Sequence, residues 1–199
     1  ARAYLEGPGG EAYRRCARET AALRSAINGR GVFHALTEAD GLPLDPTRLT
    51  VCTACAGLNG RRAGELLEQH YNIWPEMSNR DCVVCILTCS DSSADMARLA
   101  KALEELEAYA GAAPLPPCPP PPGPETCCSI RSAAFAPRHS LPLGQAAGRI
   151  SAVSIAPYPP GVPVVAPGER ITPAILSYFR TIGYDLDEPV SVLSKECEP

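Results

Sequence analysis

Proline decides where regular structure can form in this chain, and it is concentrated in two places. Residues 114–124 read PLPPCPPPPGP. Proline has a fixed φ and no N–H, so such a run cannot build a helix or sheet interior and favours polyproline II. It predicts a solvated linker or insertion over residues 111–128, a spacer rather than a PxxP ligand for an aromatic groove. The second concentration, residues 156–169, holds five prolines and two glycines in fourteen positions but also carries Val162, Val164 and Val165. A flexible linker would not carry those valines, so this segment is expected to be rigid and packed, able to hold one polar group in a set position. That group is Glu169. An acid there can cap the helix that follows, at the positive end of its dipole, or serve a functional role.

Outside these segments the sequence is patterned. Tyr13, Cys16, Thr20, Leu23 and Ile27 recur at three- and four-residue steps and predict a helix over 11–27, stopped at Asn28-Gly29. Residues 49–53 alternate as a strand, and Gly57-Leu58-Asn59-Gly60 reads as a turn. A second helix carries Ala63, Leu66, Leu67 and His70 on one side and ends near Tyr71-Asn72. Residues 73–77 look extended, and 82–89 form a continuous apolar run that predicts a buried strand. Ser92, with Asp95 three residues on, predicts a capping box before a third helix striped by Met96, Leu99, Leu103 and Leu106. A short strand is expected over 150–155. Thr172-Pro173 opens a last helix with Ile175, Leu176 and Phe179 as its apolar residues, stopped by Gly183. The order predicts an α/β (α+β small domain) fold. An open sheet with helices on one face precedes the proline-rich linker, the rigid Pro/Gly loop and the terminal helix.

Composition narrows the function. The 199 residues suffice for one or two domains, 45% of them are hydrophobic, and the net charge is -4. That balance argues against a nucleic-acid binder, which shows a basic patch or stripe. No apolar run of about 18 residues is present, so no membrane helix is expected. The first fifteen residues lack the order of a signal peptide, and the absence of an initiating Met predicts a fragment or processed chain. No Ser/His/Asp set and no phosphate-cradling loop is present. His34, His70 and His139 are scattered, and Gly7-Pro8-Gly9-Gly10 lacks the Lys of a P-loop.

Ten cysteines need their own reading: Cys16, Cys52, Cys55, Cys82, Cys85, Cys89, Cys118, Cys127, Cys128 and Cys197. Several lie inside apolar runs, where Cys acts as a small hydrophobe, which predicts a reducing compartment rather than a disulfide scaffold. Cys52-x2-Cys55 and Cys82-x2-Cys85 imitate a four-thiolate zinc site. A strand sends positions i and i+3 to opposite faces, so Cys82 and Cys85 are not expected to meet one metal.

Three stretches carry a family resemblance: Arg149-Ile150-Ser151-Ala152, the ProTyrProProGlyValPro run at 157–163, and Pro167-Gly168-Glu169. Together they closely resemble the prokaryotic-type ornithine/lysine/arginine decarboxylases, fold-type I pyridoxal-phosphate enzymes. The resemblance continues through Asp45-Pro46-Thr47-Arg48-Leu49, Glu65-Leu66-Leu67, Tyr71-Asn72-Ile73, Glu76-Met77, Ala133-Ala134-Phe135 and Leu141-Pro142-Leu143. It covers nearly the whole chain except the proline-rich insertion and the last fifteen or so residues. Asn59 stands where the family pattern suggests Ser.

The resemblance implies a cofactor lysine that follows a histidine on a large α/β domain. The two lysines here, Lys101 and Lys195, do not fit that motif. The expected organisation is therefore the end of the large pyridoxal-phosphate domain and a connecting helix (1–44), a small α/β domain (45–110), the proline-rich stretch (111–128) and a C-terminal decarboxylase region (129–199). No catalytic, cofactor-binding or metal residue is expected in the chain itself.

By the same resemblance Glu169 would lie at the substrate-binding end of the site, pairing with a distal ammonium or guanidinium. Tyr158 would shape the entrance, and Arg149 is expected in a surface or interdomain salt bridge. The implied activity is decarboxylation of arginine, lysine or ornithine in polyamine biosynthesis, with pyridoxal phosphate as electron sink. The implied partners are a basic amino acid and further copies of the full-length subunit, without nucleic acid or membrane. A cytoplasmic location is expected, with a plastid as the alternative. The alternative function is a non-catalytic regulatory or binding module derived from the same domain.

Overall fold

The computed structural model describes residues 2–158 and 161–195. Cys197 and the Pro159-Pro160 pair of the motif lie outside the described residues. The chain divides into two compact units, Ala1–Pro116 and Pro117–Pro199.

The first unit begins with α1 (Arg2–Leu5) and α2 (Pro8–Arg30), the latter opened by Pro8 in its first turn. Cys16, Thr20, Leu23 and Ile27 are its buried stripe, and the Thr20 hydroxyl is satisfied by the Cys16 carbonyl at 2.8 Å. Tyr13, expected on that stripe, is exposed. The helix also passes the expected stop at Gly29. It ends after Arg30, where Gly31 takes the left-handed conformation (φ 73°) that a Cβ would penalise.

There follow β1 (His34–Ala35), β2 (Arg48–Cys52), α3 (Gly60–Tyr71), β3 (Met77–Ser78), β4 (Cys82–Ile86) and α4 (Ser93–Leu106). Asn59 caps α3 by accepting from the Arg61 N–H. Ser92 and Asp95 form the expected capping box on α4.

The four strands form one sheet, order β1-β2-β4-β3, with every adjacent pair antiparallel. Leu49 opposes Cys85 and Val51 opposes Val83. These four pack with Leu23 and Ile27 of α2, Leu66 and Leu67 of α3, and Leu99 and Leu103 of α4 in one hydrophobic cluster. The helices thus cover one face of an open sheet, and the α/β expectation holds. Helix α2 contributes to the same core as the sheet. The strand expected over 82–89 stops at Ile86. Beyond it the Asp91 carboxylate takes both the N–H and the hydroxyl of Thr88 and turns the chain toward α4.

The proline-rich stretch is tied down at both ends. Gly111 and Leu115 donate their N–H groups to the Ala56 and Ala54 carbonyls, and Arg80 donates to the Pro116 carbonyl. At its other end, in the second unit, the Cys127 and Cys128 N–H groups bond the Gly168 carbonyl. A freely solvated spacer therefore describes only its middle, where proline leaves few N–H groups to donate.

The second unit contains α5 (Ile130–Phe135), β5 (Arg138–Pro142), α6 (Pro173–Thr181) and β6 (Pro189–Leu193), with β5 and β6 antiparallel. Thr172 caps α6 by accepting from the Ile175 N–H. Ile175, Leu176 and Phe179 bury against Leu143, Val165, Ile171, Val190 and Val192. Phe179 is fully buried, so its truncation to Ala should cost about 3–5 kcal/mol. The strand expected over 150–155 is present only as isolated bridges: Ile150 with Arg170, Ser151 with Val192, and Ile155 with Val165. No helix among the described residues is long and apolar enough to cross a membrane.

Candidate functional site

The Pro/Gly segment is an excursion with a closed base and an open tip. Ile155 and Val165 pair across its ends, with the Ile155 N–H on the Val165 carbonyl and the Val164 N–H on the Ile155 carbonyl, both at 2.9 Å. Both of those residues are buried. Gly161 (φ 84°) donates to the Pro157 carbonyl at 2.9 Å. Tyr158 and Val162 stand out from the segment, 72% and 64% exposed. The expectation of a packed segment is met at Val165 and not at Val162, because one short loop cannot bury both its base and its tip.

After Val165 the chain makes a second turn. The Glu169 N–H donates to the Ala166 carbonyl at 3.1 Å, with Pro167 and Gly168 (φ 90°) between them. Proline followed by a residue of positive φ is the pattern of a type II turn. The turn lies inside a set of antiparallel extended segments. Thr126 pairs with Glu169, Ile150 with Arg170, Ser151 with Val192, and β6 with β5. A Cβ on Gly168 would come within 2.3 Å of the Cys128 carbonyl oxygen, so glycine is required by space as well as by φ.

Glu169 is half-buried. Its Oε2 accepts from the Ala166 N–H at 2.8 Å, while Oε1 makes no hydrogen bond among the described residues. It does not cap α6; Thr172 does. Arg149, expected in a salt bridge, instead donates to the Leu193 carbonyl at 2.8 Å. It lines a cavity of about 210 Å³ with Gly148, Ile150, Leu193, Ser194 and Lys195. A second cavity of about 240 Å³ lies beside the loop base, lined by Ser154, Ile155, Ala156, Tyr184 and Glu188 among others. Burial, then the hydrogen bond to the Glu188 carboxylate, pushes the Tyr184 hydroxyl up to about 12. Neither Tyr184 nor Glu188 was marked by the sequence. Gly183 announces where α6 stops, but which groups Tyr184 and Glu188 meet beyond that stop is set by packing that no local pattern carries.

The two CxxC pairs do not converge. Cys85 points into the core, and burial pushes its thiol up to about 12, whereas Cys52 and Cys82 face each other on the opposite side of the sheet. No group of three His, Cys, Asp or Glu among the described residues could hold a metal ion. Of the lysines, Lys101 is an exposed α4 residue 3.5 Å from Glu105, and Lys195 is exposed beyond β6.

Residues 133–185 match the family described as Orn/Lys/Arg decarboxylase, C-terminal domain. The arginine decarboxylase of Bacillus anthracis is 34% identical over 140 residues, covering 68% of this chain and 28% of that protein. The Bacillus subtilis arginine decarboxylase is 32% identical over 139 residues with the same coverage. Lysine decarboxylase LdcA of Pseudomonas aeruginosa is 50% identical over 44 residues, 21% of this chain and 6% of that protein. The chain thus spans 28% of the length of the arginine decarboxylases it matches. Among solved structures, the Francisella novicida lysine decarboxylase LdcF aligns with a TM-score of 0.65 at 18% identity, covering 94% of this chain and 40% of that one. The Escherichia coli constitutive lysine decarboxylase aligns with a TM-score of 0.66 at 15% identity, covering 96% and 42%. At such identities the structural matches establish the fold.

Proposed function

Because the chain belongs to the Orn/Lys/Arg decarboxylase family, carrying its C-terminal domain, we propose that it is the C-terminal part of a pyridoxal-phosphate-dependent carbon-carbon lyase that decarboxylates arginine, lysine or ornithine. The observation that carries the reading is the Pro/Gly segment. Its base is closed by the Ile155–Val165 pairing, and a type II turn ends in a carboxylate with one oxygen anchored and one unengaged. A carboxylate on so stiff a support can accept from a distal ammonium or guanidinium in a charge-assisted hydrogen bond, with little side-chain freedom left to lose. Glu169 is therefore assigned to the substrate's distal cation, and Tyr158, exposed on the loop tip, to the rim of the site. The chain would also supply part of a subunit interface in a homo-oligomer. The cytoplasm is the compartment proposed; the matched relatives are bacterial and lend the plastid alternative no support.

The described residues of this chain do not fit a site for pyridoxal phosphate. Its covalent partner must be a lysine amine, and Lys101 and Lys195 are both exposed rather than set in a dry pocket. The cofactor and the bond-breaking chemistry are assigned to the part of the enzyme outside these 199 residues, and the chain alone is proposed to be inactive.

The test expresses the chain alone and the chain extended by its upstream reading frame. Each is scanned for a cofactor absorbance band with pyridoxal phosphate and assayed for carbon dioxide release from the three amino acids. Band and activity only in the longer protein support the reading. Carbon dioxide release by the 199 residues alone, or its absence from a folded longer protein, overturns it. In the active longer protein Glu169→Gln should raise KM by about tenfold to a hundredfold, the loss of one charge-assisted bond.

A further inference from the structure

The sheet face turned away from α2, α3 and α4 carries two facing thiols. Cys52 of β2 lies opposite Cys82 of β4, and His34 of β1 lies opposite Cys52 on the other side. The ladder on either side fixes what kind of pair this is. The Thr53 N–H bonds the Asp81 carbonyl at 3.1 Å, and the Leu87 N–H bonds the Thr47 carbonyl at 2.9 Å. In an antiparallel ladder, hydrogen-bonded and non-hydrogen-bonded pairs alternate. With 53/81 and 47/87 bonded, 52/82 falls in the non-bonded class, whose Cα atoms approach to about 4.5 Å. A disulfide needs Cα atoms about 4.4–6.8 Å apart with the Cβ atoms directed at each other, which facing residues on one side of a sheet provide.

The neighbouring cysteines are placed differently. Cys85 points into the core on the opposite face. Cys55 donates its thiol to the Cys52 carbonyl at 3.1 Å from a short helical turn, and its side chain also lies beside the Cys52 thiol, which adds to burial in pushing the Cys55 thiol up; Cys55 is therefore the competitor that the Cys52–Cys82 pairing must outrun. Cys52 and Cys82 are both half-buried and both reduced.

We propose that Cys52 and Cys82 form a reversible cross-strand disulfide, with a low-molecular-weight disulfide of the glutathione class as oxidant. The Cys52 thiolate attacks one sulfur of the oxidant, forming a mixed disulfide and expelling one small thiolate. The Cys82 thiolate then attacks the Cys52 sulfur, forming the Cys52–Cys82 bond and expelling the second. Two protein S–H bonds are lost, one S–S bond is made, and one small disulfide is reduced to two thiols. Burial pushes the Cys82 thiol up and makes its thiolate scarce, which slows the second step, while the fixed facing geometry speeds it. The bond closes a loop containing α3 and β3, and so staples those elements to the sheet in one register. In a reducing compartment such pairs are transient and redox-sensing rather than structural.

The test incubates the folded chain with oxidised glutathione, blocks remaining thiols with iodoacetamide and maps linked peptides by mass spectrometry. The expected product is a Cys52–Cys82 linkage, two hydrogens lighter, released with two equivalents of reduced glutathione and reversed by dithiothreitol. Cys55→Ser and Cys85→Ser should retain it, and Cys52→Ser should lose it. The map of the unsubstituted chain stands even where a variant fails to fold. A dominant Cys52–Cys55 linkage, a reaction that halts at glutathione adducts, or linkage only after denaturation would each overturn the proposal.

Discussion

Gly168→Ala tests whether the turn before Glu169 is held by space as well as by dihedral angle. Gly168 sits at φ 90°, and a Cβ placed there would lie 2.3 Å from the Cys128 carbonyl oxygen and 3.2 Å from its carbon. The left-handed backbone alone costs an L-residue about 1–2 kcal/mol. Relieving the overlap moves the two segments apart, which loses the bonds from Cys127 (2.8 Å) and Cys128 (3.2 Å) to the Gly168 carbonyl, each worth about 1 kcal/mol net. The expected loss is therefore about 3–4 kcal/mol. Gly148 provides the control. It has φ 78° with nothing within 4 Å of its would-be Cβ, so Gly148→Ala should cost only the dihedral part, about 1–2 kcal/mol. Urea unfolding followed by far-UV circular dichroism measures both. Equal losses at the two positions would refute the steric part of the reasoning, and with it the view that the approach of residues 127–128 sets the Glu169 turn.

The other tests are smaller. Thr172→Ala removes the cap on the Ile175 N–H and should cost about 1 kcal/mol, with Thr172→Ser restoring most of it in thermal melts. Cys85 should escape iodoacetamide in the native chain and react only on unfolding, since burial pushes its thiol up to about 12 and hides the sulfur; ready native labelling would contradict the packing. Asp45 is held below the ordinary carboxylate range by the Thr47 N–H and hydroxyl, and Asp95 by the Ser92 hydroxyl and N–H. Their unfolded forms take up protons first as pH falls. Their contribution is thus complete above the ordinary Asp value of about 3.9 and is lost as pH drops through the depressed folded values. An Asp45→Asn, Asp95→Asn double variant should show a flatter decline of Tm in acid.

Local chemistry was legible in the residue order. The Ser92–Asp95 box, the Met96-Leu99-Leu103-Leu106 stripe, the Thr172-Pro173 start of α6 and the proline run act within a turn or two of chain, so they need no distant partner to be read. The motif at 157–169 likewise identified the family from its own residues. Other features were decided by segments distant in sequence. Helix α2 overruns Gly29 because Ile27 is buried in a core shared with the sheet, and the chain first needs a left-handed residue at Gly31. Glu169 serves the turn at Ala166 rather than α6 because residues 125–128 and 149–151 clamp its backbone from either side. Cys52 meets Cys82 because β2 pairs with β4 in one register, a choice made by the burial of Leu49, Val51, Val83 and Cys85 together. Periodicity reports which face of an element is apolar. Which elements meet, and in what register, is settled only when those faces are buried against one another, and there the tertiary structure placed the acid and the thiols.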